Sequence, residues 1–118
     1  MKNFIFVLGI ICVLTSGCSS ISHGGYYWGN YSYSYHELIK NPSKETRINH
    51  ENSLREIIEK SDKKGIRVPP GIHAELGNLL SESNRTDEAI AHFEVEMSIY
   101  PESKVFLERL LQNIKTGS

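Results

Sequence analysis

The sequence has almost no excess of charge of either sign. Its 118 residues include 13 Lys and Arg against 14 Asp and Glu, which gives a formal net charge of −1. A protein that binds nucleic acid needs a basic surface to neutralise phosphates. The charge balance therefore argues against a nucleic-acid partner.

Motifs that carry catalysis or metal binding are also missing. The chain has no glycine-rich loop of the kind that cradles phosphates and no GxSxG sequence. Its histidines are scattered and have no carboxylate or cysteine neighbours at ligand spacing: His23, His36, His50, His73 and His92. We therefore expect no enzymatic activity, no metal, no cofactor and no small-molecule substrate.

Long hydrophobic runs are absent as well. The apolar run Phe4–Leu14 follows Lys2 and is shorter than the roughly 20 residues that cross a bilayer, so it has the layout of a secretory signal. The residues after it, LTSGC, resemble the lipobox of bacterial lipoproteins, with Thr15 where leucine is commonest. That resemblance implies cleavage before Cys18 and acylation of its thiol. The alternative is an ordinary signal peptide with a chance cysteine.

Cysteine is scarce, and the predicted lipoprotein signal accounts for both cysteines. Cys12 leaves with the signal and Cys18 carries lipid, so no thiol remains for a disulfide, a zinc site or a nucleophile. Two or three acyl chains anchor a protein stably. Ser19 stands where aspartate usually means inner-membrane retention, which points to the outer membrane, with the periplasmic face favoured. We expect residues 1–17 to be a cleaved signal peptide and residues 18–29 to be a lipidated tether.

The rest of the chain shows helical periodicity and little strand signal. Asn41 and Pro42 predict the cap and first turn of a long helix that ends near Lys64, with Gly65 in the left-handed position. Its predicted buried stripe is sparse: Ile48, Leu54, Ile57 and Ile58, with His50 as a half-buried packing residue. Further helices are predicted from Ile72, from a Thr86 cap, and after Pro101. The last has a predicted apolar face of Val105, Phe106, Leu110, Leu111 and Ile114.

The second half of the chain carries the spacing of a tetratricopeptide repeat, a 34-residue helix pair. The positions that match are Leu76, Gly77, Ala89, Phe93 and Pro101. His73, Leu80 and Glu96 depart from that pattern. One repeat cannot bury its apolar face alone. We therefore predict an all-α fold of about five helices, a short irregular tetratricopeptide-like solenoid over residues 30–115 with the true repeat at about 70–103.

An aromatic stretch, YYWGNYSYSY, precedes these helices. In an all-helical chain an isolated strand has no partner, so we predict a helix after Asn30. Tyr31 and Tyr35 would enter the core with Leu38 and Ile39, and Tyr33 would point away. The remaining aromatic residues are candidates for binding a partner, for stacking on glycan rings, or for resting at lipid headgroups: Tyr26, Tyr27, Trp28 and Tyr33.

The chain resembles a family of small lipoproteins of unknown function from Gram-negative bacteria. The resemblance rests on Trp28-Gly29, Pro69-Pro70-Gly71, Ala74–Gly77 and Pro101–Ser103. Members are typically encoded beside a lipoprotein similar to the curli-secretion channel. The resemblance implies a part in an outer-membrane assembly, and no catalytic residues come with it.

We therefore expect an outer-membrane lipoprotein that acts as a non-catalytic interaction or accessory module, with an envelope protein such as a curli-secretion-channel-like lipoprotein as its partner. The alternative is a glycan- or peptidoglycan-binding lipoprotein that uses the aromatic segment 26–35. In tetratricopeptide repeats the concave side of the first helix holds peptides. Here that side is predicted to carry Ala74, Asn78, Ser81 and Glu82, with no basic clamp.

Overall fold

The fold is all-helical over the described part of the chain. The computed structural model describes residues 25–117, so the predicted signal peptide and Cys18 lie outside the described residues. The elements are α1 (Tyr31–Lys40), α2 (Lys44–Lys63), α3 (Ile72–Glu82), α4 (Thr86–Ile99), a 3-10 turn (Pro101–Ser103) and α5 (Lys104–Thr116). The prediction of an all-α fold with about five helices is confirmed. None of these helices is both long and apolar enough to cross a membrane.

Each helix packs mainly on the helix before or after it in the chain, and α3 packs most extensively on α4. The core lies between α2, α3, α4 and α5. Its fully buried side chains include Leu54, Ile57, Ile72, Leu76, Leu80, Phe93 and Leu107. Neighbour-on-neighbour packing is the order that a solenoid has. The narrower interpretation as a tetratricopeptide-like solenoid stays a prediction.

The tightest contact between helices is that of Gly77 on α3 with Phe93 on α4. A Cβ atom at Gly77 would lie 2.7 Å from Cε1 of the Phe93 ring, closer than carbon atoms can approach. Phe93 and Ala89 are fully buried. The two helices therefore meet at this point because one side contributes only a hydrogen atom and the other a flat ring.

A buried glutamate joins the end of α4 to the start of α3. Glu96 stands where the repeat pattern commonly has a small residue, and its Oε1 accepts a 2.7 Å hydrogen bond from the backbone N–H of Gly71. Gly71 precedes α3 with a φ of +90°, a backbone conformation that glycine adopts without strain. A carboxylate at this position also complements the positive end of the α3 dipole. The departure from the pattern thus has a structural role.

The start of α2 differs from the prediction. Its N-cap is Ser43, whose Oγ accepts from the Thr46 N–H while Thr46 Oγ1 accepts from the Ser43 N–H. This reciprocal capping box satisfies two backbone donors at once. Asn41 as the N-cap was wrong: its N–H donates to the Glu37 carbonyl and closes α1. At the other end of α2, the left-handed conformation predicted for Gly65 is confirmed, with a φ of +63°.

The prediction that Thr86 is the N-cap of α4 was also wrong, because Thr86 is the first residue of the helix. Arg85 occupies the N-cap position and makes no side-chain capping bond. Asn30 does precede α1 as predicted, although its side chain makes no capping bond either. Capping chemistry alone therefore placed the starts of α1, α2 and α4 only to within two residues.

Several residues predicted to face the core are exposed instead. On α5 the buried face is centred on Leu107 and Leu111, which turns Val105 and Phe106 outward, and Phe106 is 70% exposed. On α2 the buried stripe includes His50, Ser53 and Ser61, so Ile48 lies outside it. Polar residues thus occupy buried positions that hydrophobic spacing would not assign to them.

The same correction applies to α1. Ile39 is exposed and only Ser34 is fully buried on this helix, although Tyr31 and Leu38 pack partly against the core. Tyr35 does not enter the core, because it stacks on the outer side of Tyr31. His50, predicted to be half-buried, is fully buried.

Candidate functional site

Four aromatic rings form a continuous series of contacts, here called the aromatic ladder: Tyr26, Trp28, Tyr31 and Tyr35. Tyr26 meets Trp28 edge-on at 6.4 Å between ring centroids, and Trp28 meets Tyr31 at 5.6 Å. Tyr31 and Tyr35, four residues apart on one face of α1, stack at 5.7 Å. Trp28 is 44% exposed, and Tyr26 and Tyr35 are each 42% exposed. The ladder is therefore a half-exposed aromatic surface that is held in place by its own ring contacts.

The other two tyrosines of the stretch lie elsewhere. Tyr27 lies against α2, where its hydroxyl donates to Glu56 at 3.2 Å and Lys60 Nζ lies 5.5 Å from its ring centroid. Tyr33 is 64% exposed and lines a groove between α1 and α2. The structure thus divides the four predicted aromatic binding residues: Tyr26 and Trp28 belong to the ladder, whereas Tyr27 and Tyr33 do not.

A groove of about 470 Å³ lies between α1 and α3, beside the last rings of the ladder. Its lining includes Tyr31, Tyr35, Asn78 and Glu82, so two residues predicted for the concave side of α3 lie next to the ladder. Asn78 Nδ2 donates to Glu82 Oε1 at 3.0 Å. We call this the α1–α3 groove. It brings the aromatic segment and the repeat helix to one surface.

The α1–α3 groove contains a basic group that the sequence did not reveal. Arg47 on α2 lines it and pairs with Glu82 at 2.5 Å. Ala74 and Ser81, the other predicted residues of α3, are half-buried. Helix α3 itself has no basic residue at this surface, so the positive charge that Arg47 of α2 brings to the groove was not predicted.

A buried hydrogen-bond network lies beneath the ladder and joins three helices. Nε2 of the fully buried His50 is 2.5 Å from Glu75 Oε1, and its Nδ1 is 2.8 Å from Ser34 Oγ. The Tyr31 hydroxyl donates to Glu75 Oε2 at 2.7 Å. Burial raises the pKa of Tyr31, and the Glu75 carboxylate raises it further because it accepts this proton and repels the phenolate.

Serine, imidazole and carboxylate are in contact here, yet their setting favours a structural role. Ser34 lies in the first turn of α1, is 4% exposed, and its Oγ also lies 3.1 Å from the Tyr31 carbonyl oxygen. A nucleophile needs an approach for its substrate, and the Ser34 side chain is almost wholly buried. The network instead fixes how α1, α2 and α3 are rotated against each other. The three residues come from distant parts of the sequence and form no recognisable motif. The one sequence signal of the network was the polar His50 among the apolar residues of α2.

A second contact joins the buried His73 on α3 to the half-buried His92 on α4. Their Nδ1 atoms are 2.9 Å apart and their rings stack at 5.2 Å. Burial, with His92 beside it, lowers the pKa of His73 to about 4, and burial and the charge of Arg55 lower the pKa of His92. Both imidazoles are therefore neutral at neutral pH, one donating and one accepting. Within residues 25–117 no group of three or more His, Cys, Asp or Glu is arranged to hold a metal ion.

Comparison with known proteins shows that most of the chain matches one protein family. Residues 26–110 match the family described as a domain of unknown function, DUF4810. The match begins at the first ring of the ladder and ends within α5, so it covers both grooves. Neither a curated protein nor a solved structure matches the chain.

Proposed function

We propose that this chain, which belongs to the DUF4810 family, is an outer-membrane lipoprotein that serves as a non-catalytic interaction module in an envelope assembly. The observation that carries the proposal is the aromatic ladder, whose rings contact one another while three of the four are more than 40% exposed. Ordered aromatic side chains lose little entropy on binding, and such residues are enriched at protein–protein interfaces.

The position of the ladder supports a partner in the same membrane. Tyr26 follows Cys18, the proposed lipid attachment site, by eight residues. A link of this length spans at most about 29 Å when fully extended. A lipid on Cys18 would thus keep the ladder close to the membrane surface, where a membrane-anchored partner would meet it.

The chemistry of the α1–α3 groove supports a protein partner with both apolar and polar contacts. The ladder offers ring faces, and beside it Asn78, Glu82 and Arg47 offer a donor, an acceptor and a cation. Such a pattern of an aromatic patch with a polar rim is typical of protein interfaces. Since the chain resembles lipoproteins encoded beside a curli-secretion-channel-like lipoprotein, the partner we propose is a lipoprotein of that class.

The proposal includes the finer description of the fold as a short, irregular tetratricopeptide-like solenoid. The close contact of Gly77 with Phe93 and the packing of each helix on its chain neighbours support this description. In such a solenoid α1 and α3 are first helices of successive pairs. The groove between them then corresponds to the concave surface where these repeats hold peptides.

Site-specific photocrosslinking in intact cells tests the interaction. A photoreactive phenylalanine analogue is placed at Trp28 or Tyr35 in the ladder, or at the exposed Phe106 on α5 as the control position. We expect the two ladder positions to capture one envelope protein and position 106 not to capture it. Recovery of no envelope protein from the ladder, with the protein monomeric in mild detergent, would refute the proposal.

Lipidation is tested separately with radiolabelled palmitate. Label should enter the wild-type chain and be lost in the Cys18→Ser variant, which should also leave the outer-membrane fraction. Label that persists in this variant would place the lipid on another residue and remove the argument from membrane distance.

A further inference from the structure

The opposite face of α1 carries a second groove, between α1 and α2, with a volume of about 620 Å³. This α1–α2 groove is separate from the aromatic ladder and from the α1–α3 groove. Twelve residues line it, among them Tyr33, Glu37, Glu45, Asn49, Asn52 and Ser53. They are almost all polar, and no lysine or arginine is among these described residues. The groove therefore lacks the charge to hold an anion.

The groove contains a buried polar atom without a partner. Ser53 is 7% exposed, and its Oγ makes no hydrogen bond to any residue that the structure describes. A buried hydroxyl in this state is destabilising unless something else supplies the hydrogen bond. The neighbouring Ser34 is satisfied by the His50 network. Ser53 thus marks the place in the groove where a polar ligand would relieve a deficit.

The rim of the groove offers unused hydrogen-bonding groups. The side-chain amides of Asn49 and Asn52 form no hydrogen bond within residues 25–117, and neither does the Glu45 carboxylate. Of the two other carboxylates in the lining, Glu56 pairs with Lys60 at 2.8 Å, whereas Glu37 has only a 3.5 Å contact from the neutral amide of Asn41 and keeps its charge. The amides both donate and accept and the carboxylates accept, so the rim offers the mixture of groups with which sugar hydroxyls pair.

We propose that the α1–α2 groove binds a neutral saccharide. An amide offers two donors and an acceptor, which matches the alternating donors and acceptors of adjacent sugar hydroxyls. The 64%-exposed ring of Tyr33 supplies an apolar face for the C–H side of a sugar ring. The groove volume lies within the range of about 300–1,000 Å³ that ligand sites have. The ligand class follows from the amides, the single exposed ring and the lack of cations together.

The geometry also changes which aromatic residue would contact sugar. Tyr33 alone of the predicted aromatic residues lines the α1–α2 groove, whereas Tyr26 and Trp28 lie in the ladder. A saccharide and a protein partner would therefore occupy different faces of α1. The protein would then be able to hold a glycan while bound to its partner.

Nuclear magnetic resonance of the isotope-labelled chain tests this proposal. Maltotetraose, cellotetraose and tetra-N-acetylchitotetraose are added singly, with tetralysine and inorganic phosphate as the cationic and anionic probes. We expect at least one of the three saccharides to shift the side-chain amide signals of Asn49 and Asn52 and the ring signals of Tyr33, and neither charged probe to do so. No shift with any of the three saccharides, or shifts with tetralysine alone, would overturn the proposal.

Matched variants locate the binding. Asn52→Ala and Tyr33→Ala both change exposed residues, so they should fold normally and each weaken saccharide binding at least tenfold. The control Asn78→Ala, in the α1–α3 groove, should leave the affinity unchanged. Equal affinity of all three variants would place the sugar elsewhere and overturn the proposal. Photocrosslinking from the ladder is unaffected by either outcome, so the two proposals fail independently.

Discussion

The α1–α2 pair and the α3–α4 pair are both antiparallel, but different interactions hold them together. In the α3–α4 pair, Gly77 receives the ring of Phe93 and apolar side chains fill the space around it. In the α1–α2 pair, α1 contributes a single fully buried residue, Ser34, and its main links are hydrogen bonds and ring contacts. Apolar packing holds α3 and α4 together. Helix α1 buries little of its surface and therefore leaves exposed surfaces on both of its sides. Both proposed binding grooves border α1.

Replacing Phe93 with Ala is expected to have the largest effect. The ring is fully buried, so the change removes its packing and leaves a cavity against Gly77, at a cost of about 3–5 kcal/mol in the free energy of unfolding. Urea titration followed by circular dichroism measures it. Phe106→Ala is the matched control, because Phe106 is 70% exposed and should change stability by less than about 0.5 kcal/mol.

Should Phe93→Ala fail to fold, Phe93→Leu offers a smaller cavity at the same position. Its cost should fall between those of the alanine variant and wild type. Equal stability of Phe93→Leu and wild type would show that the ring does not organise the α3–α4 pair.

Acid should weaken the contact between His73 and His92 in the α3–α4 pair. The pKa of His73 is lowered to about 4 in the folded chain, and that of His92 is also lowered. An unfolded histidine titrates near 6.5, so the unfolded state binds more protons between these values. Stability is therefore complete above about pH 6.5 and falls as the pH drops towards 4, with His73 contributing on the order of 3 kcal/mol.

Unfolding by urea at pH values from 7 to 5 checks this window while most carboxylates stay charged. His73→Gln should reduce the slope of stability against pH, and His36→Gln, at an exposed position of α1, should leave it unchanged. A slope that is the same in wild type and His73→Gln would assign the acid sensitivity to other groups.

The polar network of α1 is tested by Glu75→Gln. Glu75 accepts from Tyr31 and contacts His50, and a glutamine offers only one acceptor oxygen for the two. The loss should be about 1–3 kcal/mol, the usual cost of a buried unsatisfied group. Hydrogen exchange should show it mainly as faster opening of α1, with little change in α3 and α4.

The control for that experiment is Glu82→Gln. Glu82 also lies on α3 and also pairs across helices, with Arg47, but both partners are more than 40% exposed. Exposed pairs contribute little. Exchange that is accelerated equally in both variants, or equally in all helices, would mean that the network does not hold α1 specifically.

The contrast between the pairs also explains what the sequence could predict. The α3–α4 pair follows apolar spacing, so its helices and the repeat positions Gly77 and Phe93 were recognisable as a pattern, although the contact between these two residues was not predicted. The links of α1 depend on Ser34, His50 and Glu75, which come from three helices and acquire meaning only when the fold brings them together. The two grooves could not be predicted either, because their lining residues also come together only in the folded chain. The outward turn of Phe106 escaped prediction because α5 has apolar residues around more than one face, and only packing selects Leu107 and Leu111.

The smallest expected effect concerns the start of α2, where sequence and structure disagreed. Ser43→Ala removes the Oγ that accepts from the Thr46 N–H and should cost about 1 kcal/mol, whereas Ser43→Gly should cost only a few tenths. Asn41→Ala changes the residue that the sequence favoured as the cap. Its side chain makes only a 3.5 Å hydrogen bond to Glu37, so its loss should be within measurement error. Because the α1–α2 groove is lined by Ser43 and Thr46, the Ser43→Ala variant should also show faster hydrogen exchange in the first turn of α2. A larger loss for Asn41→Ala than for Ser43→Ala would move the helix start back to Asn41 and reshape that end of the groove.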